Sequence, residues 1–148
     1  MAALTTANGV EQTKYAAGGI ANMVAKLWNN DIKFAYDKYT LPATDTAAAG
    51  FVISMGRLPK HAIVLGFLWS ATAMGAAMTA DVEIGGVAAT AAEAFTDMTS
   101  ATQQFVLSTG IFPYTPLTAD SAITVTTAAQ AFAPEATVTL TTLYVMDV

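Results

Sequence analysis

The stretch "AIVLGFLWSATAMGAAMTA", residues 62–80, carries no formal charge over 19 residues. Two readings compete for it. As a helix it has about the 20 residues that cross a bilayer. As a strand, residues 61–72 put Ile63, Leu65, Phe67 and Trp69 on one face and Val64 and Leu68 on the other. A run apolar on both faces suits a central strand covered on both sides. The helix reading weakens along its length. Only the first eight residues are strongly apolar, and "SATAMGAAMTA" is small and partly hydroxylic. No second span follows, and no basic cluster anchors either end. The strand reading is therefore preferred, and no membrane partner is expected.

The flanking sequence has the same period. Upstream, "GRLPK" (56–60) is a turn punctuated by Gly56 and Pro59, "FVISM" (51–55) a strand, and "LPATDTAAAG" (41–50) a loop. In "DIKFAYDKYT" (31–40), Ile32, Phe34 and Tyr36 fall on one side and Lys33, Asp37 and Tyr39 on the other. That alternation marks a half-buried strand, with Tyr36, like Trp69, assigned to the core. Downstream, "ADVEIGG" places Val82 and Ile84 inward with Asp81 and Glu83 outward, "QQFVLST" is a short strand, and "SAITVTT" alternates with Ile123 and Val125 inward. The stretch 87–102, with Glu93 and Asp97 four apart, reads as a short helix or a long loop. In "TVTLTTLYVMDV", Val138 and Leu140 share one phase and Leu143 and Val145 the other. A β-bulge near Thr141–Thr142 would bring all four to one face.

The first 30 residues differ in kind. "MAALTTANGVEQTKY" lacks the charged and apolar regions of a signal peptide and reads as a polar arm. In "GGIANMVAKLWNN", Ile20, Met23, Val24, Leu27 and Trp28 recur at the spacing of one helix face. A helix of about ten residues is marginal unless it docks on something, so a short helix and an extended arm both stay open. The organisation expected is an arm over residues 1–30 and a body over 31–148. The body reads as mainly β: an antiparallel sandwich or jelly roll of about seven or eight strands.

Composition narrows the function. Apolar residues make up 54% of the chain and charged residues 11%, and Ala and Thr fill 53 of 148 positions. Soluble domains carry about 25% charge, so much of this surface is expected to face something other than water. Residues 1–60 hold all six basic residues and four acids, a net of +2; residues 61–148 hold seven acids and no base, a net of −7, which together give the −5 of the whole. A base-free majority argues against nucleic-acid binding, which needs Lys and Arg on phosphates.

The chemistry of catalysis is sparse. With no Cys and one His, thiolate and His-rich metal sites and cysteine nucleophiles are excluded. His61, beside Pro59 and Lys60, reads as a turn residue rather than a triad member. Asp81 and Glu83 sit roughly 7 Å apart by strand rise, but a solvated outer face is the commoner meaning of such a pair than a glycosidase dyad. No phosphate cradle or calcium loop is present. No enzyme activity and no cofactor are expected. Phe112 and Tyr114, in the Pro-interrupted loop "GIFPYTPLTAD", are the aromatic candidates for a partner or a sugar.

The segment "IKFAYDKYTLPATDTAAAGFVISMGRLPKHAIVLGFLWSATAMGAAMTADVEIG" resembles small virion proteins of tailed bacteriophages. The shared pattern is a Tyr-containing strand, a spacer, an apolar strand, "LPK", a second apolar strand and a "VEIG"-like strand. It covers roughly residues 30–86. The resemblance implies a capsid decoration, or cement, protein: a β-sandwich or jelly roll, often trimeric, made in the host cytoplasm and bound to the outside of the capsid. It implies the major capsid protein and further copies of itself as partners. The arm residues Lys14, Tyr15, Ile20, Met23, Leu27 and Trp28, with Phe112 and Tyr114, are then the expected contacts. A head fibre, tail or connector component and a carbohydrate-binding sandwich are the alternatives.

Overall fold

A computed structural model of the chain describes residues 4–8 (as backbone), 32–45, 47–72, 78–92, 94–96, 102–113, 115–128 and 131–147. Among these residues there are nine strands and no helix: β1 (Leu4–Asn8), β2 (Lys33–Thr40), β3 (Ala47–Leu58), β4 (Ala62–Ala71), β5 (Thr79–Ile84), β6 (Val87–Ala88), β7 (Thr102–Leu107), β8 (Ser121–Ala128) and β9 (Thr137–Met146). They form two sheets, in the orders β1-β3-β8-β5-β6 and β2-β9-β4-β7. Every neighbouring pair is antiparallel except β1 with β3. The protein is a mainly β, two-sheet sandwich, as the alternation implied. From β2 to β9 the chain changes sheet at every step but β5 to β6. That step is a hairpin through Gly85 and Gly86, both left-handed at φ 60° and 79°, the backbone a tight two-residue turn requires.

The core lies between the sheets. Phe51, Ile53, Val82, Ile84, Ile123 and Val125 come from one side, and Val64, Phe67, Trp69, Val138, Leu140 and Tyr144 from the other. Two ring clusters tie the layers. Tyr39 and Phe132 flank Phe51 at 5.8 and 5.7 Å between centroids, and Trp69 stacks on Phe95 at 5.3 Å. The buried Thr127 hydroxyl donates to the Phe51 carbonyl at 3.2 Å. A hydroxyl on an inward strand position thus keeps a partner.

Burial of Tyr144 pushes its phenol above the usual 10.0, and burial with the nearby Asp45 charge raises Tyr39 likewise. The folded state therefore holds these protons more tightly than the unfolded chain does. Their contribution is intact below pH 10.0 and is lost as pH rises through the raised folded values. The melting temperature should stay level from neutrality to about pH 9 and fall above pH 10. Tyr144→Phe should flatten part of that fall in a pH series of thermal melts.

Several elements differ from their sequence reading. Strand β3 begins at Ala47, so the loop before it shrinks, and it runs on through Gly56 to Leu58. The turn that follows is confined to Pro59–His61. His61 is exposed with a left-handed φ of 70°, Ala62 N–H donates to the Pro59 carbonyl at 3.2 Å, and Lys60 N–H donates to Asp120 Oδ1 at 2.8 Å. Residues 62–71 are a strand, and among the described residues no helix is long and apolar enough to cross a membrane.

The expected bulge in β9 is not there. Strand β9 pairs with β2 without a register shift, and Val138, Leu140, Thr142 and Tyr144 all point inward. The bulge lies instead in β4, where Val64 and Gly66 oppose consecutive β9 residues and Leu65 is the extra residue. It changes the phase of β4. Val64 faces the core with Phe67 and Trp69, while Ile63 lies on the other side with Leu68, unlike the simple alternation read from sequence. Residues 4–8, read as part of the arm, pair with β3. The helix-or-extended question over residues 20–28 and the pair Glu93 and Asp97 lie outside the described residues.

Candidate functional site

Strand β2 is turned over relative to its hydrophobic pattern. Ile32, Phe34 and Tyr36 are 54%, 64% and 53% exposed, while Lys33 and Asp37 are buried. The cause is at the other end of the strand. Tyr39 packs against Phe51 and Phe132. Next to it, Leu41 is fully buried and its backbone is bonded to Ala136 O and Glu135 N at 3.0 and 2.9 Å. Fixing Tyr39 inward fixes Asp37, Ala35 and Lys33 inward too, because β2 pairs with β9 without a register shift and its side chains alternate throughout. The large apolar residues of β2 are left facing out. Tyr36, assigned to the core from sequence, is thus a surface residue.

The neighbouring strands continue that surface. Phe34 pairs with Leu143, Leu143 with Gly66, and Gly66 with Leu107; one rank along, Tyr36 pairs with Thr141, Thr141 with Leu68, and Leu68 with Phe105. Residues paired across strands share a face. These two ranks cross all four strands, with Val145 and Ile63 paired beyond them. Leu68 is 41% exposed, Phe105 54% and Leu107 65%. The next rank, Lys38–Thr139–Ser70–Gln103, is polar, and Thr40 and Thr137 follow with their hydroxyls 2.7 Å apart. Lys38 is the one formal charge among the outward positions of β2, β9, β4 and β7.

The opposite sheet presents another character. Val82 and Ile84 face the core, so Asp81 and Glu83 project outward, paired with Thr126 and Thr124 of β8. The acidic pair read from sequence therefore sits on an open, hydroxyl-rich sheet face. Among the described residues no group of three or more His, Asp or Glu side chains could hold a metal ion.

The predicted contact residues fare unevenly. Phe112 is 3% exposed and packs into the core beside Leu117. Its loop is held by Leu117 N–H donating to Ala62 O at 2.9 Å and Thr109 N–H to Ala89 O at 2.8 Å. An aromatic ring on a loop tied this closely folds onto its own sandwich, so Phe112 is corrected from partner contact to core. Lys14, Tyr15, Ile20, Met23, Leu27, Trp28 and Tyr114 lie outside the described residues. The exposed apolar face was not singled out from sequence. Its signal was present in strands that are apolar in both phases, in β4 and at the change of phase in β9.

No protein-family model matches the chain, and no curated protein matches it in sequence. Solved structures do share its fold. A chain of "Capsid of Ralstonia phage GP4" is 22% identical, with a TM-score of 0.58 over 89% of this chain and 95% of that one. A chain of "Cyanophage Pam1 capsid asymmetric unit" is 18% identical, with a TM-score of 0.52 over 84% and 91%. At such identities the likeness is one of fold.

Proposed function

We propose that the protein is a structural component of a tailed-phage head, bound to the outside of the capsid, where it stabilises the lattice as a decoration protein. The observation that carries the reading is the near end-to-end fold match to chains of two phage capsids, 95% and 91% of whose lengths are covered. The likeness therefore extends over most of each chain rather than one short shared motif. The strand wiring supports it: in this reading β2-β9-β4-β7 facing β3-β8-β5-β6 is the two-sheet arrangement of a jelly roll, an architecture of viral capsid domains. The sparse chemistry and the low charge suit a protein whose work is surface burial.

In this reading the partners are the major capsid protein and further copies of the chain, in a homotrimer. The protein is made in the host cytoplasm and ends on the capsid surface. Residues 1–30, with Lys14, Tyr15, Ile20, Met23, Leu27 and Trp28, supply the capsid contact, and many weak attachments become durable through symmetry. The body presents its acidic face to solvent.

The test is a count of chains per particle by quantitative mass spectrometry of purified virions. A fixed ratio near that of the major capsid protein is expected, and a chain lacking residues 1–30, which loses the edge strand β1 with the arm, should drop to background on the same particles while keeping a β-type far-ultraviolet spectrum. A count of about a dozen or fewer per particle would place the protein at a unique vertex or on sparse fibres and end the lattice reading. Full occupancy by the truncated chain would end the arm assignment.

A further inference from the structure

We infer that the apolar outer face of β2-β9-β4-β7 is the surface through which copies of this chain bind one another. The inference rests on the self-association proposed above and adds one contact to it: a face that meets its own copy joins chains in pairs about a two-fold axis, a contact distinct from the three-fold one of a trimer. Six side chains carry it: Ile32, Phe34, Tyr36, Leu68, Phe105 and Leu107, each between 41% and 65% exposed. Residues of this size offer about 150–250 Å² each when fully exposed, so together they leave on the order of 600–700 Å² of largely apolar surface uncovered. The largest apolar patch of a typical monomer is about 300–600 Å². A standard interface takes about 800 Å² from each partner. With Leu143, Ile63 and Val145 between and beyond the six, the face has the area of one side of a stable interface.

Charge selects the occupant. The chain carries a net −5, so two copies meet at least cost through a surface that holds no acids and keeps the like charges more than a screening length apart. This face meets that condition. Its outward strand positions carry no carboxylate, and its one charge, Lys38, lies in the polar rank at the edge of the apolar area. Asp81 and Glu83 are on the other sheet's outer face. A partner recognised by opposite charge would call for a charged face here, whereas a neutral apolar face is complementary to itself. Burying its apolar ranks against a copy desolvates no ion, and Asp81 and Glu83 stay on the outer face of the opposite sheet.

The test is sedimentation velocity of the full chain across the micromolar range, beside Phe34→Glu/Leu107→Glu. Both positions are about two-thirds exposed, so the change costs the core little. The native chain should sediment as an oligomer. The double variant should be a monomer with an unchanged far-ultraviolet spectrum and a dissociation constant raised at least about 100-fold, since aromatic and aliphatic anchors dominate such contacts. Should the glutamates disturb folding, Phe34→Thr/Leu107→Thr keeps strand-forming residues in place and should also dissociate. Glu83→Lys, on the opposite face, should leave the assembly intact.

A monomeric native chain would overturn the inference; residues 9–31 or another virion protein would then be the occupant of the face. An oligomer that survives both double variants would overturn it as well. The virion count reads a different quantity. A monomer found at full copy number on particles would sink only the self-contact, and an oligomer absent from particles only the decoration reading.

Discussion

Trp69→Ala should cost about 3–5 kcal/mol of unfolding free energy, the range for emptying a buried aromatic site. For a domain of this length that corresponds to a fall of roughly 10 °C in the melting temperature, against a total stability of about 5–15 kcal/mol. The indole is fully buried on β4, which lies between β9 and β7. It stacks on Phe95 with the ring planes 19° apart. Phe95 in turn is bonded to β5 in the opposite sheet: Ala80 N–H donates to its carbonyl at 2.9 Å and its own N–H to Ala80 O at 3.0 Å. Trp69 is thus one of the contacts that hold one sheet to the other. Its Nε1–H is buried with no acceptor among the described residues. A buried donor without a partner is itself a cost. Trp69→Phe should therefore cost distinctly less than the alanine, because losing the unpaired donor offsets part of the lost area. Denaturant titration of the three proteins checks both claims. An alanine variant within about 1 kcal/mol of the native chain would refute the assignment.

Gly66→Val should be damaging although the new residue adds no charge, because Gly66 is buried on β4 against β7. A Cβ at Gly66 would stand 2.8 Å from the Val106 carbonyl oxygen, 3.0 Å from Phe105 Cζ and 3.3 Å from Leu107 Cα. The first and third contacts are backbone, so a side-chain rotation cannot relieve them. Either β7 moves off β4 or the bulge re-forms elsewhere. Overpacking of this kind costs about 1–3 kcal/mol, and here the loss is concentrated. Strand β7 pairs only with β4 in its sheet, and Ser108 continues the attachment, its N–H donating to Leu65 O at 3.0 Å and its hydroxyl to Val64 O. Hydrogen exchange should show β7 losing protection well before β2 or β9 does. The Phe105–Leu107 half of the apolar face would fray with it. Gly50 offers the contrast: nothing lies within 4 Å of its Cβ position, and its φ of +82° makes any cost there one of backbone strain alone.

Strands whose two faces differ in polarity were legible in the sequence. In β5 and β8 the apolar phase is the inner phase, because Asp81, Glu83, Thr124 and Thr126 face away from the core. Strands apolar in both phases were not. For β2 the phase is decided by Tyr39 and Leu41, whose partners Phe51, Phe132 and Ala136 are distant in sequence. For β9 the change of apolar phase at Leu143 implies an extra residue. The strand instead keeps its register and adds Leu143 and Val145 to an outer surface that is itself apolar. The exposed face was hidden for the same reason: a pattern read against one core has no place for a second apolar surface.

The order of strands also bears on when the protein is able to fold. Strand β9 is the last of the nine along the chain, yet it occupies an interior place in its sheet, between β2 and β4. Thr40 and Thr137, bonded across that junction, are 97 positions apart. Until Thr137–Met146 leaves the ribosome, β2 has no partner in its sheet, and β4 has β7 alone. The sandwich therefore closes after synthesis of its body rather than along with it. The nascent chain waits with Phe34 and Tyr36 on an unpaired strand, and closure carries the slowness of a non-local sheet.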